Sequence, residues 1–248
     1  MADPLVLLEL LAPDRLDEDL VGLDVELRLS GSTGRPTLLR QLRRNQVDLE
    51  NLELAAGTLP FIREVLGQLG RPVPKPLDYL SAPPELLGRA VWQTTLGAVR
   101  GHWEREQIPV FVKPADATKR FVGRVIRSES DLYHLATVSA STSVWCAELV
   151  TFTAEFRVFV VDREIVGVRQ YEGTETVVPE AVAQRFATGL GERLPAGCAI
   201  DIGLLNDGRA VLVEVNDGFA LGRYGLDPGS YLRLLRARWK QLVAGEHT

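Results

Sequence analysis

The sequence predicts an α+β fold, with strands and helices mixed in layers. Strand-like and helix-like segments interleave irregularly along the chain. Several neighbouring strand pairs read as hairpins, which argues against a doubly wound parallel sheet. A length of 248 residues suffices for one large domain or two small ones with real cores.

Residues 1–78 read as a small α/β unit. "PLVLLEL" and "DVELRLSG" suggest strands, and "RPTLLRQLRRNQVDLENLEL" holds a helix and a further strand. In "TLPFIREVLGQLG" the apolar residues Phe61, Ile62, Val65, Leu66 and Leu69 recur at helical spacing, with Thr58 placed as N-cap and Gly70 as C′. The proline-rich "RPVPKPLDYLSAPP" breaks helix and strand alike and marks a boundary.

Beyond it, "PELLGRAVWQTTLGAVRGHW" reads as one helix and "IPVFVKP" as a strand ending at a proline. "ADATKRFVGRVI" is a loop returning into a strand, and "SESDLYHLA" opens a helix capped by Ser128 or Ser130. "SVWCAELVTF" is a strand, "AEFRVFVVDREIVGVRQYEG" a hairpin turning near Asp162-Arg163, and "PEAVAQRFATGLGERL" a helix. The closing helix "PGSYLRLLRARWKQLV" carries Tyr231, Leu232, Leu235 and Trp239 on one side, a core-packing stripe.

Composition narrows the function classes. Apolar content of 46% and charged content of 25% are ordinary for a soluble globular chain. A net charge of −5 argues against general nucleic-acid binding. Cys146 and Cys198 have no metal spacing and form no disulfide framework, and His102, His134 and His247 are scattered, which disfavours zinc. The apolar opening contains Glu9, lacks a basic flank and reads as a buried strand, so no membrane segment is expected and a cytoplasmic location is. Only four lysines occur, Lys75, Lys113, Lys119 and Lys240, and two fall in one short stretch. A compact ammonium suits phosphate as a point charge.

The most informative stretch is "AIDIGLLNDGRAVLVEVND". Asn206-Asp207-Gly208 separates two apolar runs and signals a hairpin. A two-residue loop at Asp207-Gly208 pairs Leu204 with Val211 and Asp201 with Glu214, and a four-residue loop keeps that register. A three-residue loop with a bulge shifts it by one. Strict alternation places Val211, Val213 and Val215 on one face and Leu212, Glu214 and Asn216 on the other. Opposed carboxylates repel unless water, a proton or a cation intervenes. Asp201, Glu214 and Asn216 together make an oxygen-rich set suited to Mg²⁺, which takes one or two carboxylates plus phosphate oxygens.

Two more clusters bear chemistry. In "VFVKPADATKRFVGRV", Lys113 ends an apolar strand, and Lys119 and Arg120 follow in a basic loop able to fold over polyphosphate. In "WCAELVTFTAEFR", Glu148 ends an apolar strand, and Glu155 and Arg157 share a face, reading alone as a surface pair. Arg89 reads alone as a solvent-exposed helix residue. No Walker A, G-x-G-x-x-G or G-x-S-x-G motif occurs.

Taken in order, "FVKP", the basic loop, "AELV", "EFRVFVVDREIVG" and "DIGLLNDGRAVLVEVN" resemble an ATP-grasp enzyme. "TLPFIREVLGQLG", "LLGRAVWQTTL", "VFVKPADATKRFVG" and "EVNDGFALGRYG" resemble its RimK-like clade, named for one Arg and two Lys in the nucleotide site. The likeness covers about residues 55–242. It implies two α+β lobes gripping ATP: a small α/β N-terminal region at 1–78, an N-lobe with the basic phosphate loop at 79–145, and a C-lobe with the metal-binding hairpin at 146–248.

The resemblance also implies roles. Arg89, Lys113 and Lys119 would meet the phosphates. Glu148 and the backbone at Leu149 and Val150 would hold the adenine, and Glu155 the ribose. Arg157 and Lys119 would serve the reacting phosphoryl group, and Asp201, Glu214 and Asn216 would hold Mg²⁺. Asp217, Arg223 and Tyr224 lie where substrate would approach. Two departures stand out: Ala199 replaces an Arg common two residues before the first metal Asp, and the N-terminal region is short. The implied activity is ATP-dependent carboxylate–amine ligation through an acyl phosphate, on small-molecule or peptide substrates. The alternatives are a non-catalytic nucleotide-binding module and a phosphotransferase to a non-carboxylate acceptor.

Overall fold

β1 (Leu5–Ala12) is the strand that the apolar opening predicts, and Val6, Leu7 and Leu8 are wholly buried. It pairs in parallel with β3 (Gly34–Leu38) and β4 (Leu52–Ala56), and antiparallel with the short β2 (Arg15–Leu16). A strand covered on both faces needs such a continuous apolar run. The computed structural model describes residues 4–116, 121–174 and 176–245.

"DVELRLSG" is not a strand. It forms the end of helix α1 (Glu18–Leu29), whose N-cap Asp17 accepts from the Asp19 N–H at 3.0 Å. Leu20, Leu23 and Leu27 recur at helical spacing and are buried, whereas Val25 and Leu29 are exposed. α2 (Leu39–Arg43) and α3 (Leu59–Gln68) complete this layer. Thr58 holds the N-cap position of α3, but its side chain caps nothing. The buried Glu9 carboxylate of β1 accepts from the Thr58 N–H instead, at 2.5 Å. Gly70 turns the chain out of α3 at φ +66°.

The stretch predicted as one helix from Pro84 splits into three elements. α4 (Pro84–Leu87) ends after one turn at Gly88, β5 (Val91–Thr95) follows, and α5 (Leu96–Glu106) starts where Thr95 Oγ1 caps the Ala98 N–H. The left-handed Gly88 and the β-branched Val91, Thr94 and Thr95 override the helical period. β6 (Val110–Pro114), β7 (Arg124–Ile126) and β8 (Ser143–Ala147) complete an antiparallel sheet in the order β5-β8-β6-β7, and α6 (Glu129–Tyr133) is capped by Ser128.

The third sheet is also antiparallel, in the order β10 (Glu164–Gly173), β9 (Phe152–Val161), β11 (Gly197–Leu205), β12 (Ala210–Asp217). One face packs against α7 (Glu180–Leu190), joining Val158, Val160, Cys198, Ile200, Ile202, Leu212 and Val215 to Phe186 and Leu190. Part of the other face, Phe159, Val161 and Ala199, joins the N-terminal layer and α8 (Pro228–Ala244) in a second core. Tyr231, Leu232, Leu235 and Trp239 are buried there, so the two ends of the chain share one core. Among the described residues, no helix is long and apolar enough to cross a membrane.

The acidic hairpin has a register that regular alternation does not anticipate. Near the turn Leu204 pairs with Ala210, not Val211, one residue off the predicted ladder. Between Asp201 and Ile202 a β-bulge at Val213 restores the offset, and Asp201 faces Glu214 as predicted. The bulge also breaks the period of two. Leu212 therefore joins Val215 in the core, away from Glu214 and Asn216.

Candidate functional site

The second and third sheets face a cavity of about 320 Å³. Phe111, Val125 and Ala147 of one sheet and Phe152 and Val213 of the other supply its apolar walls, with Leu149 and Val150 from the connection between β8 and β9. Arg89, Lys113, Glu148, Glu155 and Glu214 line it too. Arg89, Lys113, Glu148, Leu149, Val150 and Glu155, expected to contact nucleotide, thus meet in one cavity with Glu214, whereas Arg157, Asp201 and Asn216 do not line it. Lys119 lies outside the described residues. An apolar slot with a few convergent charges is the usual form of a small-molecule site.

Arg89 is neither helical nor fully exposed. It follows Gly88, is partly buried, and donates from Nη1 to the Leu212 carbonyl at 2.8 Å and the Leu87 carbonyl at 3.1 Å. A Cβ at Gly88 would lie 2.3 Å from Val211 Cγ1, so glycine is required both by the φ of +59° and by this approach. Burial lowers the Arg89 pKa, and Tyr79 and Glu155 oppose that shift.

Lys113 lies between two carboxylates. Its Nζ is 2.9 Å from Glu214 Oε2 and 2.8 Å from Asp78 Oδ1, and the Tyr79 ring centroid is 4.8 Å away. Burial alone would lower the Lys113 pKa, but Glu214 and Asp78 outweigh it and the net shift is upward. For Glu214, burial pushes upward, Lys113 pulls harder, and the carboxyl lies below its ordinary range. Both groups are therefore charged at neutral pH.

The second charged cluster centres on Asp201. Arg157 Nε and Nη2 donate to its two oxygens at 2.8 and 2.7 Å, and Asn216 Nδ2 donates to Oδ2 at 2.9 Å. Arg157 is therefore no surface residue; it is 8% exposed. The Tyr224 and Tyr171 ring centroids lie 4.3 and 5.7 Å from its guanidinium carbon. Glu155 bonds not with Arg157 but with Tyr171, accepting from its hydroxyl at 2.9 Å. Burial raises the Glu155 pKa, partly offset by that hydrogen bond and reinforced by Glu172, Asp201 and Glu214.

Among the described residues, no three His, Cys, Asp or Glu side chains form a metal cage. The candidate set lies within the strands rather than at their tips: Asp201 in the middle of β11 opposes Glu214 of β12, with the Asn216 amide two residues on. Asp201 and Asn216 are already hydrogen-bonded to each other. That donor set fits a hard cation completing its shell with phosphate oxygens and water. Arg157 and Lys113 balance the two carboxylates here.

Of the residues placed near an incoming substrate, Tyr224 is half exposed against Arg157. Asp217 turns away to a buried bidentate pair with Arg238, at 2.6 and 2.7 Å. Arg223 is held by Asp19 and the Leu226 carbonyl. Ala199 is fully buried in the core. Sequence reasoning missed Asp78 and Tyr79, because they sit in the proline-rich stretch read only as a boundary. The one available signal was an acid and an aromatic side by side among prolines.

Comparison with known proteins bears on the fold and the family. No curated protein matches the sequence. Among solved structures, a RimK domain ATP-grasp protein from Sphaerobacter thermophilus is similar, with TM-score 0.62 and 16% identity over 93% of this chain and 99% of that one. The D-alanine–D-alanine ligase of Bacillus anthracis gives TM-score 0.60 and 11% identity over 99% and 100%. A macrocyclase bound with its precursor peptide, from Microcystis aeruginosa, gives 0.54 and 13% over 96% and 99%. The ATP-grasp domain of family 2 in the clade named for one Arg and two Lys matches residues 86–234. That span holds every described side chain of the cavity except Tyr79, and the chain belongs to this ATP-grasp family.

Proposed function

We propose that the protein is an ATP-dependent ligase that joins a carboxylate to an amine through an acyl phosphate. The observation that carries this is Glu214. It lines the cavity with Arg89 and Lys113, and it is also the cross-strand partner of Asp201. The cations that would meet phosphate thus share the cavity with one carboxylate of the pair that would hold the metal ion.

In this reading the apolar walls and the Glu148–Val150 connection hold the adenine, and Glu155 the ribose. Lys113 and Arg89 offset phosphate charge, with Lys119 reaching from its loop. Asp201, Glu214 and Asn216 hold Mg²⁺, which when bound neutralises charge on the transferring phosphoryl group. Arg157 orients Asp201 and presents its guanidinium face toward Tyr224, on the side open to substrate.

In the first step a carboxylate oxygen of the substrate attacks the γ-phosphorus, and the bond to the β-phosphate oxygen breaks, releasing ADP. In the second, an amine nitrogen attacks the acyl carbon, phosphate leaves, and the nitrogen loses a proton. Exclusion of water from the closed site would protect the acyl phosphate from hydrolysis. The fold neighbours include an amino-acid ligase and a macrocyclase bound with a peptide, which supports amino acids or peptides as substrates.

The test is calorimetric titration of Mg²⁺–ATP into wild type, Asp201→Asn and Glu214→Gln, with ADP release measured against pooled amino acids and peptides. Binding that weakens in both variants, with amine-dependent ADP release in wild type only, is expected. Binding without release would favour a nucleotide-binding module, and a stable phosphorylated product a phosphotransferase.

A further inference from the structure

We infer that Asp78 is a positioning residue of the nucleotide site, holding Lys113 so that Glu214 is left available to the metal ion. The inference rests on the nucleotide reading above and adds a residue to it. Asp78 belongs to no regular element, yet it ties both sheets together. Its Oδ1 lies 2.8 Å from Lys113 Nζ on β6, and its Oδ2 accepts from Trp145 Nε1 on β8 at 2.8 Å. Its carbonyl accepts from the Val215 N–H on β12 at 2.6 Å, between Glu214 and Asn216.

The backbone here is held in an unfavourable shape. Asp78, Leu80 and Ser81 have φ of +49°, +47° and +49°, and none is glycine. Such conformations persist where surrounding contacts over-determine them. The Tyr79 ring stands edge-on to Trp145, with centroids 5.1 Å apart, and lies beside the Lys113 ammonium. The proline-rich stretch therefore acts as a strap whose one acidic residue is held from both sheets, by its carboxylate to β6 and β8 and by its carbonyl to β12.

The two anions on Lys113 differ in kind. Glu214 is shared with the candidate metal set, whereas Asp78 is committed to Trp145 and, through its backbone, to Val215. A metal ion that takes Glu214 removes one counter-charge from Lys113, and Asp78 keeps the ammonium in place. Without the Asp78 charge, Glu214 is the remaining carboxylate within ion-pair distance of Lys113 among the described residues. The metal then competes with an undivided ion pair.

The test compares ADP affinity by calorimetry in Mg²⁺ and in EDTA, for wild type, Asp78→Asn and Trp145→Phe. Asp78→Asn keeps an acceptor for the indole and removes the charge. Its Mg²⁺ enhancement of ADP affinity is expected to fall about tenfold, with metal-free affinity equal or tighter, as befits loss of a charge-assisted contact. Trp145→Phe removes the indole bond but keeps the charge, and its enhancement is expected to stay within about threefold of wild type. Asp78→Ser replaces Asp78→Asn if the amide variant does not fold. An unchanged enhancement in the uncharged variant, or an equal fall in Trp145→Phe, overturns the inference while leaving the nucleotide reading intact. Wild type that binds no Mg²⁺–ADP overturns both.

Discussion

Arg157 and Asp201 are directly opposed on β9 and β11, and their side chains meet in two parallel hydrogen bonds of 2.8 and 2.7 Å. Both are buried, at 8% and 2% exposure. Burial pushes the Asp201 carboxyl upward, and Arg157 pulls it back. Such a pair contributes little net stability, but removing one partner strands a buried charge.

Arg157→Met is therefore expected to destabilise the protein by about 3–5 kcal/mol. The double variant Arg157→Met/Asp201→Leu is expected to recover most of that loss, because neither charge is left buried. Urea unfolding of the two single variants and the double one measures this. A double variant no more stable than Arg157→Met would show that the loss lies elsewhere than in the stranded carboxylate.

Glu155 gives a prediction in pH. Its folded-state pKa is raised, chiefly by burial, so the folded chain binds its proton more tightly than the unfolded chain does. The sign follows: this group favours folding at acid pH, and that contribution is lost as pH rises from the ordinary carboxyl range through the folded pKa. Glu155→Gln keeps an oxygen for the Tyr171 hydroxyl and removes the charge. Its melting temperature is expected to exceed wild type at pH 7 and to converge on it near the ordinary glutamate value of 4.5. A difference that does not depend on pH would assign the effect to packing.

How far the site is legible in sequence depends on how local its determinants are. Lys113 and Glu148 stand out at strand ends, whereas Glu155 reads alone as half of a surface pair and gains its place only through the family resemblance; all three line the cavity. The Asp201–Glu214 pairing also emerges, but only because two irregularities cancel: a one-residue offset at the turn and a bulge at Val213. Neither leaves a mark in a run of valines. Asp78 is invisible for another reason. Its partners Lys113, Trp145 and Val215 are remote in sequence, and nothing in a proline-rich stretch announces them. "DVELRLSG" fails because Val25, Leu27 and Leu29 alternate like a strand, while Leu20 and Leu23, outside that window, set the helical period.

Gly88 links backbone conformation to the proposed nucleotide site. An alanine there meets Val211 Cγ1 and is strained at φ +59°. Gly88→Ala is expected to cost about 1–3 kcal/mol of stability. It should also weaken nucleotide binding several-fold, because Arg89 is the next residue and its hydrogen bond to the Leu212 carbonyl depends on that close approach. Thermal melts and calorimetric titration of ADP test the two effects separately. Normal binding in a destabilised Gly88→Ala protein would count against the proposed contact of Arg89 with nucleotide.

The bulge makes the last prediction. Val213 is the extra residue between the Ile202–Leu212 and Asp201–Glu214 pairs. Deleting it joins Leu212 directly to Glu214 in a regular ladder. Successive residues then point to opposite faces, which is where Leu212 and Glu214 already point. The deletion is therefore expected to fold, with a loss of about 1–2 kcal/mol, within the usual range for a single change. Removal of Val213 also takes one apolar wall from the cavity, so ADP affinity is expected to fall while the Asp201–Glu214 pairing persists. Deleting Val215 instead brings Asn216 to the core position against Ile200. That chain is expected not to reach the native fold. Circular dichroism and melting of the two deletion variants decide between them, and equal damage in both would mean that the bulge is not what holds the register.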